Sequence, residues 1–148
     1  MNPAPAPAPA FWDSSALVPL CVSHPLTPSV RRLVDQYKIV VWWATPVEMQ
    51  SAFQRLARMG LLTPSQHRAA ERGLDRLRRG WRELQPSEQL RSQAEILLKQ
   101  HPLKAADALQ LAAACIWSSG DPSSHVFISG DKQLLTAAQQ VGFQAVTV

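Results

Sequence analysis

Four acidic residues of this 148-residue chain are candidates for catalysis or metal binding. Asp13 comes directly after a short apolar run, Asp131 comes shortly after another, and Glu48 follows a third within one helical turn. Asp107 differs from them, because it interrupts the most apolar helical stretch of the chain. The carboxyl ends of parallel strands meet at one edge of a sheet, so we expect the three strand-end acids to converge there. The sequence thus predicts an acidic pocket.

Each acid also has a structural interpretation. Asp13 and Asp131 could each cap the helix that follows. Residues 45–48 (Thr-Pro-Val-Glu) have the pattern of a capping box with proline at the first helical position. Asp107 could pair with Lys104, three residues earlier on the same helix. These interpretations do not account for the shared edge or for an acid within an apolar helix.

Four carboxylates in one pocket require a compensating cation. Two unit charges 4 Å apart repel by about 1 kcal/mol in water and by about 4 kcal/mol at an effective dielectric constant near 20. Oxygen-only ligands suit a hard ion, so we expect Mg²⁺, with Mn²⁺ able to substitute. Such an ion can activate a water molecule and hold a phosphate oxygen at the same time. The pattern therefore favours metal-assisted phosphodiester hydrolysis.

The charge balance agrees with a polyanionic partner. The chain has 15 basic residues against 11 acidic ones, a net charge of +4. If metal occupies four of the acids, seven remain against the same bases, and the rest of the surface carries +8. A candidate contact for RNA or for an acidic partner is a stripe of arginines on one predicted helix, for which a solvated face is the alternative: Arg68, Arg72, Arg76 and Arg79.

The elements that must position these residues follow from apolar periodicity. Short apolar runs predict strands at 10–12, 37–43, 125–128 and 145–148, and Trp42 and Trp43 are expected in the core. Amphipathic or apolar stretches predict helices at 14–20, 28–36, 45–58, 65–79, 87–99, 103–117 and 132–141. Strands that alternate with helices predict a parallel sheet covered on both faces, hence an α/β fold.

Length and composition fit one domain. Residues 1–10 are a Pro/Ala-rich segment, predicted to be a flexible arm outside the fold, and residues 11–148 form the domain. No apolar run approaches the length of a membrane span, so no membrane association is expected. Cys21 and Cys115 lie in apolar stretches and are interpreted as small buried residues of a protein in the reducing cytoplasm.

Four stretches, in this order and spacing, resemble the PIN-domain ribonucleases, in particular the VapC-like toxins of prokaryotic toxin–antitoxin pairs. They are Phe-Trp-Asp-Ser-Ser-Ala-Leu at 11–17, Thr-Pro-Val-Glu at 45–48, Leu-Lys-Ala-Ala-Asp-Ala-Leu-Gln-Leu-Ala at 103–112, and Ile-Ser-Gly-Asp-Lys-Gln-Leu-Leu at 128–135. The first and third are fairly specific, whereas the second is weak alone. The resemblance covers residues 11–148.

The resemblance implies a three-layer PIN-like domain around a parallel sheet of about five strands. It implies that the metal ligands and catalytic residues are Asp13, Glu48, Asp107 and Asp131, and that the hydroxyls of Ser14 and Ser129 support them. It also implies RNA cleavage that leaves a 3′-hydroxyl and a 5′-phosphate, a homodimer, and a cognate antitoxin. The chain departs from the family at Gln110, where histidine is common, next to the site rather than among its ligands.

Two classes of function stay open. The first is a Mg²⁺-dependent endoribonuclease, the toxin of a toxin–antitoxin pair, in which four carboxylates hold a metal-activated water. The second is a catalytically silent PIN-like module that binds RNA or protein. A haloacid-dehalogenase-type phosphatase is excluded, because its second aspartate would stand where this chain has Ser15. A nucleotide-binding switch is not expected without a glycine-rich phosphate loop.

Overall fold

Five parallel strands form the centre of the fold, in the order β3-β2-β1-β4-β5. The computed structural model describes residues 2–148. The strands are β1 Ala8–Trp12, β2 Tyr37–Trp42, β3 Arg82–Leu84, β4 Val126–Ser129 and β5 Gln144–Thr147. The helices are α1 Ser14–Cys21, α2 Thr27–Gln36, α3 Thr45–Arg58, α4 Pro64–Gly80, α5 Glu88–Gln100, α6 Ala105–Trp117 and α7 Lys132–Val141. The expected α/β fold with a parallel sheet is confirmed.

The sheet separates two apolar cores, which makes the fold three-layered. Successive residues of a strand point to opposite faces, and β1 follows this rule. Phe11 packs among residues of α5, α6 and α7, where its ring stacks on Phe127 with centroids 5.5 Å apart. Trp12 packs on the other side, with residues of α1, α3 and α4 such as Leu17 and Phe53. Strand β1 is therefore fully buried at its carboxyl end.

The register of the central strands fixes where the site is built. Strand β1 pairs with β2 on one side and β4 on the other, and Trp12 lies opposite Ile128. The residues that follow β1 and β4 therefore start at the same level of the sheet edge. This brings the loop at Asp13 next to the loop that contains Ser129 and Asp131.

Three parts of the sheet differ from the prediction. Strand β1 begins at Ala8 and pairs with β2 from that residue, so residues 8–10 belong to the domain and not to the arm. Residues 2–7 have no regular secondary structure, and Met1 lies outside the described residues. Strand β3 was not predicted, because three residues are too few for a periodic pattern. The prediction that Trp43 is a core residue is wrong: β2 ends at Trp42, and Trp43 is 51% exposed.

The helices agree more closely with the sequence pattern. Helices α3 and α7 have the predicted bounds, and α7 is followed by Gly142, whose φ of 122° suits glycine. Helix α6 begins at Ala105, two residues later than predicted, which moves Asp107 into its first turn. In residues 2–148, no helix is both long enough and apolar enough to cross a membrane.

Candidate functional site

Asp13 lies directly after the central strand, and only 3% of its surface is exposed. Its backbone N–H donates to the carbonyl of Ile128 (3.0 Å), which ties the ends of β1 and β4 together. Its carboxylate accepts hydrogen bonds from the hydroxyls of Ser15 and Ser129, the latter at 2.9 Å. Although Asp13 has the N-cap position of α1, its side chain makes no capping bond. Burial raises the pKa of Asp13, and the serine bonds offset part of that effect.

Glu48 lies in the first turn of α3, but the predicted capping box is not formed. Helix α3 begins with Thr45 itself, and no side chain makes a capping bond at its N-terminus. Instead, Glu48 Oε2 accepts a hydrogen bond of 2.8 Å from Gln110 Nε2 on α6. Burial is the main reason that the pKa of Glu48 rises to about 7, and the Gln110 bond lowers it in part. The negative charges of Asp13 and Asp107 raise it further.

Asp107 is half-buried in the first turn of α6, three residues after Lys104. No salt bridge of residues 2–148 joins these two side chains, so the suggested pairing is not formed. The pKa of Asp107 is raised to about 6, mainly by burial and in part by the charges of Asp13 and Asp131. Lys104 acts in the opposite direction. A carboxylate at a helix N-terminus is also favoured by the helix dipole.

Asp131 does cap the helix that follows it. Its Oδ1 accepts a hydrogen bond of 3.0 Å from the backbone N–H of Leu134, while its own N–H donates to the hydroxyl of Ser129. The capping interpretation is therefore confirmed for this residue. Capping occupies one of the two carboxylate oxygens, and Asp131 also lines the same cavity as Glu48 and Asp107.

A cavity of about 600 Å³ joins these elements at the carboxyl edge of the sheet. Glu48, Asp107 and Asp131 line it directly, and Asp13 adjoins it through Ser15, a lining residue hydrogen-bonded to the Asp13 carboxylate. The pKa of Glu48 is raised in part by the charges of Asp13 and Asp107, and that of Asp107 by the charges of Asp13 and Asp131. The structure thus brings all four predicted acids to one place.

The chemistry of this donor set fits a hard divalent cation. All four groups are carboxyls, and mutual repulsion in a partly buried cavity is the condition that a cation relieves. As they stand in residues 2–148, no three Asp, Glu, His or Cys side chains lie close enough together to hold a metal ion. Metal binding would therefore have to draw the carboxylates closer together.

Several residues at the site were missed or given a smaller role by the sequence analysis. Ser15 donates to Asp13 and accepts from the N–H of Gly130 (2.9 Å), whereas the predicted Ser14 makes only a long bond of 3.4 Å to Asp13. Arg55 and Lys104 line the cavity as its cationic side chains among the described residues. A serine two residues after the strand-end aspartate was visible in the sequence, but its contact with a loop more than a hundred residues away was not.

The four-arginine stripe lies elsewhere. Its members are exposed along α4, whose opposite side buries Ala70 and Leu74 in the core. None of the four lines the acidic cavity, as far as the structure describes the chain. Arg76 borders a separate cavity of about 450 Å³ together with Arg31 and Asp35.

Comparison with solved structures identifies proteins of the same fold. The chain is similar to PAE2754 from Pyrobaculum aerophilum (TM-score 0.64, 19% identity, 94% of this chain and 90% of that one). It is similar to a chain of a toxin–antitoxin complex from Klebsiella pneumoniae (TM-score 0.62, 15% identity, 84% and 88% covered). It is also similar to a chain of VapBC2 from Rickettsia felis, bound to a DNA fragment from their promoter (TM-score 0.63, 10% identity, 93% and 97% covered).

No protein-family model matches the sequence, and no curated protein does. At identities of 10 to 19%, the structural similarity establishes the fold. The resemblance to VapC-like PIN domains is therefore confirmed as a resemblance of fold, over nearly the whole chain.

Proposed function

We propose that the protein is a Mg²⁺-dependent endoribonuclease and the toxin component of a toxin–antitoxin pair. The observation that carries this proposal is the placement of four carboxyl groups, from the ends of β1 and β4 and the first turns of α3 and α6: three of them line one cavity, and Asp13 adjoins it through Ser15. Mutual repulsion of buried acids costs stability, so a site that keeps four of them is best explained by the binding of a cation.

The side chains that would hold Mg²⁺, or Mn²⁺ in its place, are Asp13, Glu48, Asp107 and Asp131. A bound divalent ion supplies activation of water and charge compensation at phosphate. The chain itself contributes the placement of the acids and two nearby cations, Arg55 and Lys104, that suit a phosphate group. With a pKa of about 7, the Glu48 carboxyl is partly protonated at neutral pH, and it must release that proton to become a ligand.

Two observations support RNA as the proposed substrate: the positive charge of the chain and its similarity in fold to toxin–antitoxin proteins. Apart from the four acids of the site, the chain has 15 basic residues against seven acidic ones, and this excess of positive charge favours a polyanion. One of the similar structures is described as a toxin–antitoxin complex and another as VapBC2, which supports a cognate antitoxin for this chain as well. We propose that this partner binds across the Arg-rich helices, and that the protein forms a homodimer and acts in the cytoplasm.

Cleavage assays on Asp13→Asn test the enzymatic part of the proposal. This substitution keeps the shape of the side chain but removes a negative charge and a strong oxygen ligand, so Mg²⁺-dependent cleavage should be lost. Asp35→Asn and Asp75→Asn, both exposed and away from the cavity, are the matched controls and should retain activity. Full activity of Asp13→Asn, or activity that is indifferent to a chelator, would contradict the proposal, provided circular dichroism shows all three variants folded.

The alternative function, a silent module that only binds RNA or protein, gives a different result in the same assay. It predicts RNA binding without cleavage in either Mg²⁺ or Mn²⁺. The toxin role is tested separately, by expressing the chain alone and together with its neighbouring gene products. A chain that is harmless at high expression, purifies without a partner and has no affinity for RNA at low salt would contradict that role.

A further inference from the structure

Gln110 is a polar residue in an apolar setting. It lies on α6 in an Ala/Leu-rich stretch, none of its surface is exposed, and its neighbours Leu111, Ala112 and Ala113 are core residues. A leucine would suit this position by volume and by helix propensity. The presence of an amide therefore needs an explanation other than packing.

The amide nitrogen of Gln110 holds the first turn of α3 at two points. Nε2 lies 2.8 Å from Glu48 Oε2 and 3.2 Å from the hydroxyl oxygen of Thr45, a side chain that is also fully buried. Thr45 and Glu48 are three residues apart, about one turn of helix, so their side chains lie on the same face of α3, towards Gln110 on α6. In residues 2–148, Gln110 is the side chain that donates hydrogen bonds to the Glu48 carboxylate.

The other half of the amide is left without a partner. Gln110 Oε1 is buried and accepts no hydrogen bond, which is costly in a protein interior. The orientation of the amide thus favours Glu48 and Thr45 at the expense of its own carbonyl oxygen. A buried group that is only half satisfied contributes little to the stability of the fold, and this points to a role at the neighbouring site.

We propose that Gln110 is a positioning residue that acts through Glu48, holding its carboxylate in place for cation binding. Asp107 and Gln110 are three residues apart on α6, so this helix supplies one acid to the cavity and the support for another. Carboxylates that bind metals are commonly held by such hydrogen bonds, and loss of the supporting partner typically lowers metal affinity about 10- to 100-fold. This inference rests on the proposed function.

The experiment is a double-mutant cycle read by Mn²⁺ affinity in the absence of RNA. Calorimetric titrations of the full chain would compare wild type, Gln110→Leu, Glu48→Gln and the double variant. Gln110→Leu should weaken Mn²⁺ binding about 10- to 100-fold. In the Glu48→Gln background, the same substitution should have less than about a threefold effect, because its target is already changed. Equal losses in both backgrounds, or no loss in either, would overturn the proposal.

Two controls separate this result from general damage and from failure of the proposed function. Gln139→Leu makes the same change at an exposed position of α7 and should leave the affinity unchanged. A crystal structure of metal-free Gln110→Leu should show the Glu48 carboxylate moved from its present place, and an unmoved carboxylate contradicts the inference. If Gln110→Leu does not fold, Gln110→Met serves instead. If the wild-type protein binds no Mn²⁺ but the Glu48 carboxylate has moved in the variant, the proposed metal-dependent function is overturned. The positioning of Glu48 by Gln110 is then still supported.

Discussion

At the scale of single residues, the carboxylate of Asp13 depends on two serine hydroxyls that come from different parts of the chain. Ser129 belongs to the end of β4, and Ser15 to the first turn of α1. Each hydroxyl donates a hydrogen bond to Asp13 and accepts one from a backbone N–H of the loop before α7. Ser15 accepts from Gly130, and Ser129 accepts from Asp131. The two serines thus connect the central acid to the loop that carries the fourth acid.

This network predicts a difference between two adjacent serines. Ser15→Ala should lower the rate of RNA cleavage about 10- to 100-fold, because the orientation of Asp13 and of the Gly130 loop is lost. Ser14→Ala is the matched control, since its bond to Asp13 is long, and it should change the rate less than about threefold. The measurement is the single-turnover cleavage rate at saturating Mg²⁺. Equal effects of the two substitutions would mean that the hydroxyl of Ser15 has no special role.

The raised pKa values predict how stability changes with pH. Glu48 and Asp107 have pKa values of about 7 and about 6 in the folded protein, against ordinary values of 4.5 and 3.8. The folded state therefore binds protons more strongly than the unfolded state between about pH 4 and pH 7, and stability due to these groups falls as pH rises through that range. A tenfold change in proton affinity is worth about 1.4 kcal/mol, and we expect a combined loss of about 2–4 kcal/mol, since Asp107 is partly screened by solvent.

Urea unfolding between pH 4.5 and 8 in the presence of a chelator tests this prediction. The variant Glu48→Gln/Asp107→Asn is the control, because it lacks both titrating groups and should show a flatter profile. Millimolar Mg²⁺ should restore stability to the wild type at the upper end of the range, since a ligand that binds only the folded state stabilises it. A wild-type profile that is as flat as that of the variant would show that the pKa values of the two acids are not raised in the folded protein.

At the scale of elements, apolar periodicity was sufficient to predict seven helices and four of the five strands. Strand β3 could not be predicted, because Arg82–Leu84 has only three residues and becomes a strand through its pairing with β2. The hydrogen-bond partner of Glu48 was missed for a similar reason. The local sequence 45–48 favours a capping box, but a tertiary hydrogen bond from Gln110, 62 residues away, determines where the carboxylate lies. The local sequence was enough to predict that each acid lies at the site. It was not enough to predict the hydrogen-bond partners, which come from distant parts of the chain.

The end of α7 offers a prediction at this scale. Gly142 has a φ of 122°, and a Cβ added there would lie 3.2 Å from Pro122 Cγ. Gly142→Ala should therefore lower the free energy of unfolding by about 1–3 kcal/mol. Gly80→Ala, at the last residue of α4, is the control: no atom lies within 4 Å of its added Cβ, and the change should be neutral or stabilising by up to about 1 kcal/mol. Chemical denaturation of both variants measures the difference, and equal stabilities would contradict the strain argued for Gly142.

At the scale of the whole molecule, charge is divided between two regions. The acids that repel one another are gathered at the carboxyl edge of the sheet, while α4 presents its arginines along an exposed face that does not border the acidic cavity. The sequence predicted both features separately, from strand ends and from helical spacing. It could not predict their separation, because that depends on how the helices pack on the sheet.

This separation leads to a prediction about RNA binding. Arg68→Gln/Arg72→Gln removes two charges from the exposed face of α4, and Arg91→Gln/Lys99→Gln removes two from α5 in the opposite layer. If the arginine stripe contacts RNA, only the first variant should bind a long single-stranded RNA more weakly. The slope of log affinity against log salt should then fall by about 0.7 for each lost phosphate contact. Its cleavage rate at saturating RNA should stay within about threefold of wild type, because the stripe lies outside the acidic cavity. Equal losses of affinity in both variants would indicate a general effect of net charge, and unchanged affinity in the first would assign the stripe to the antitoxin or to solvent.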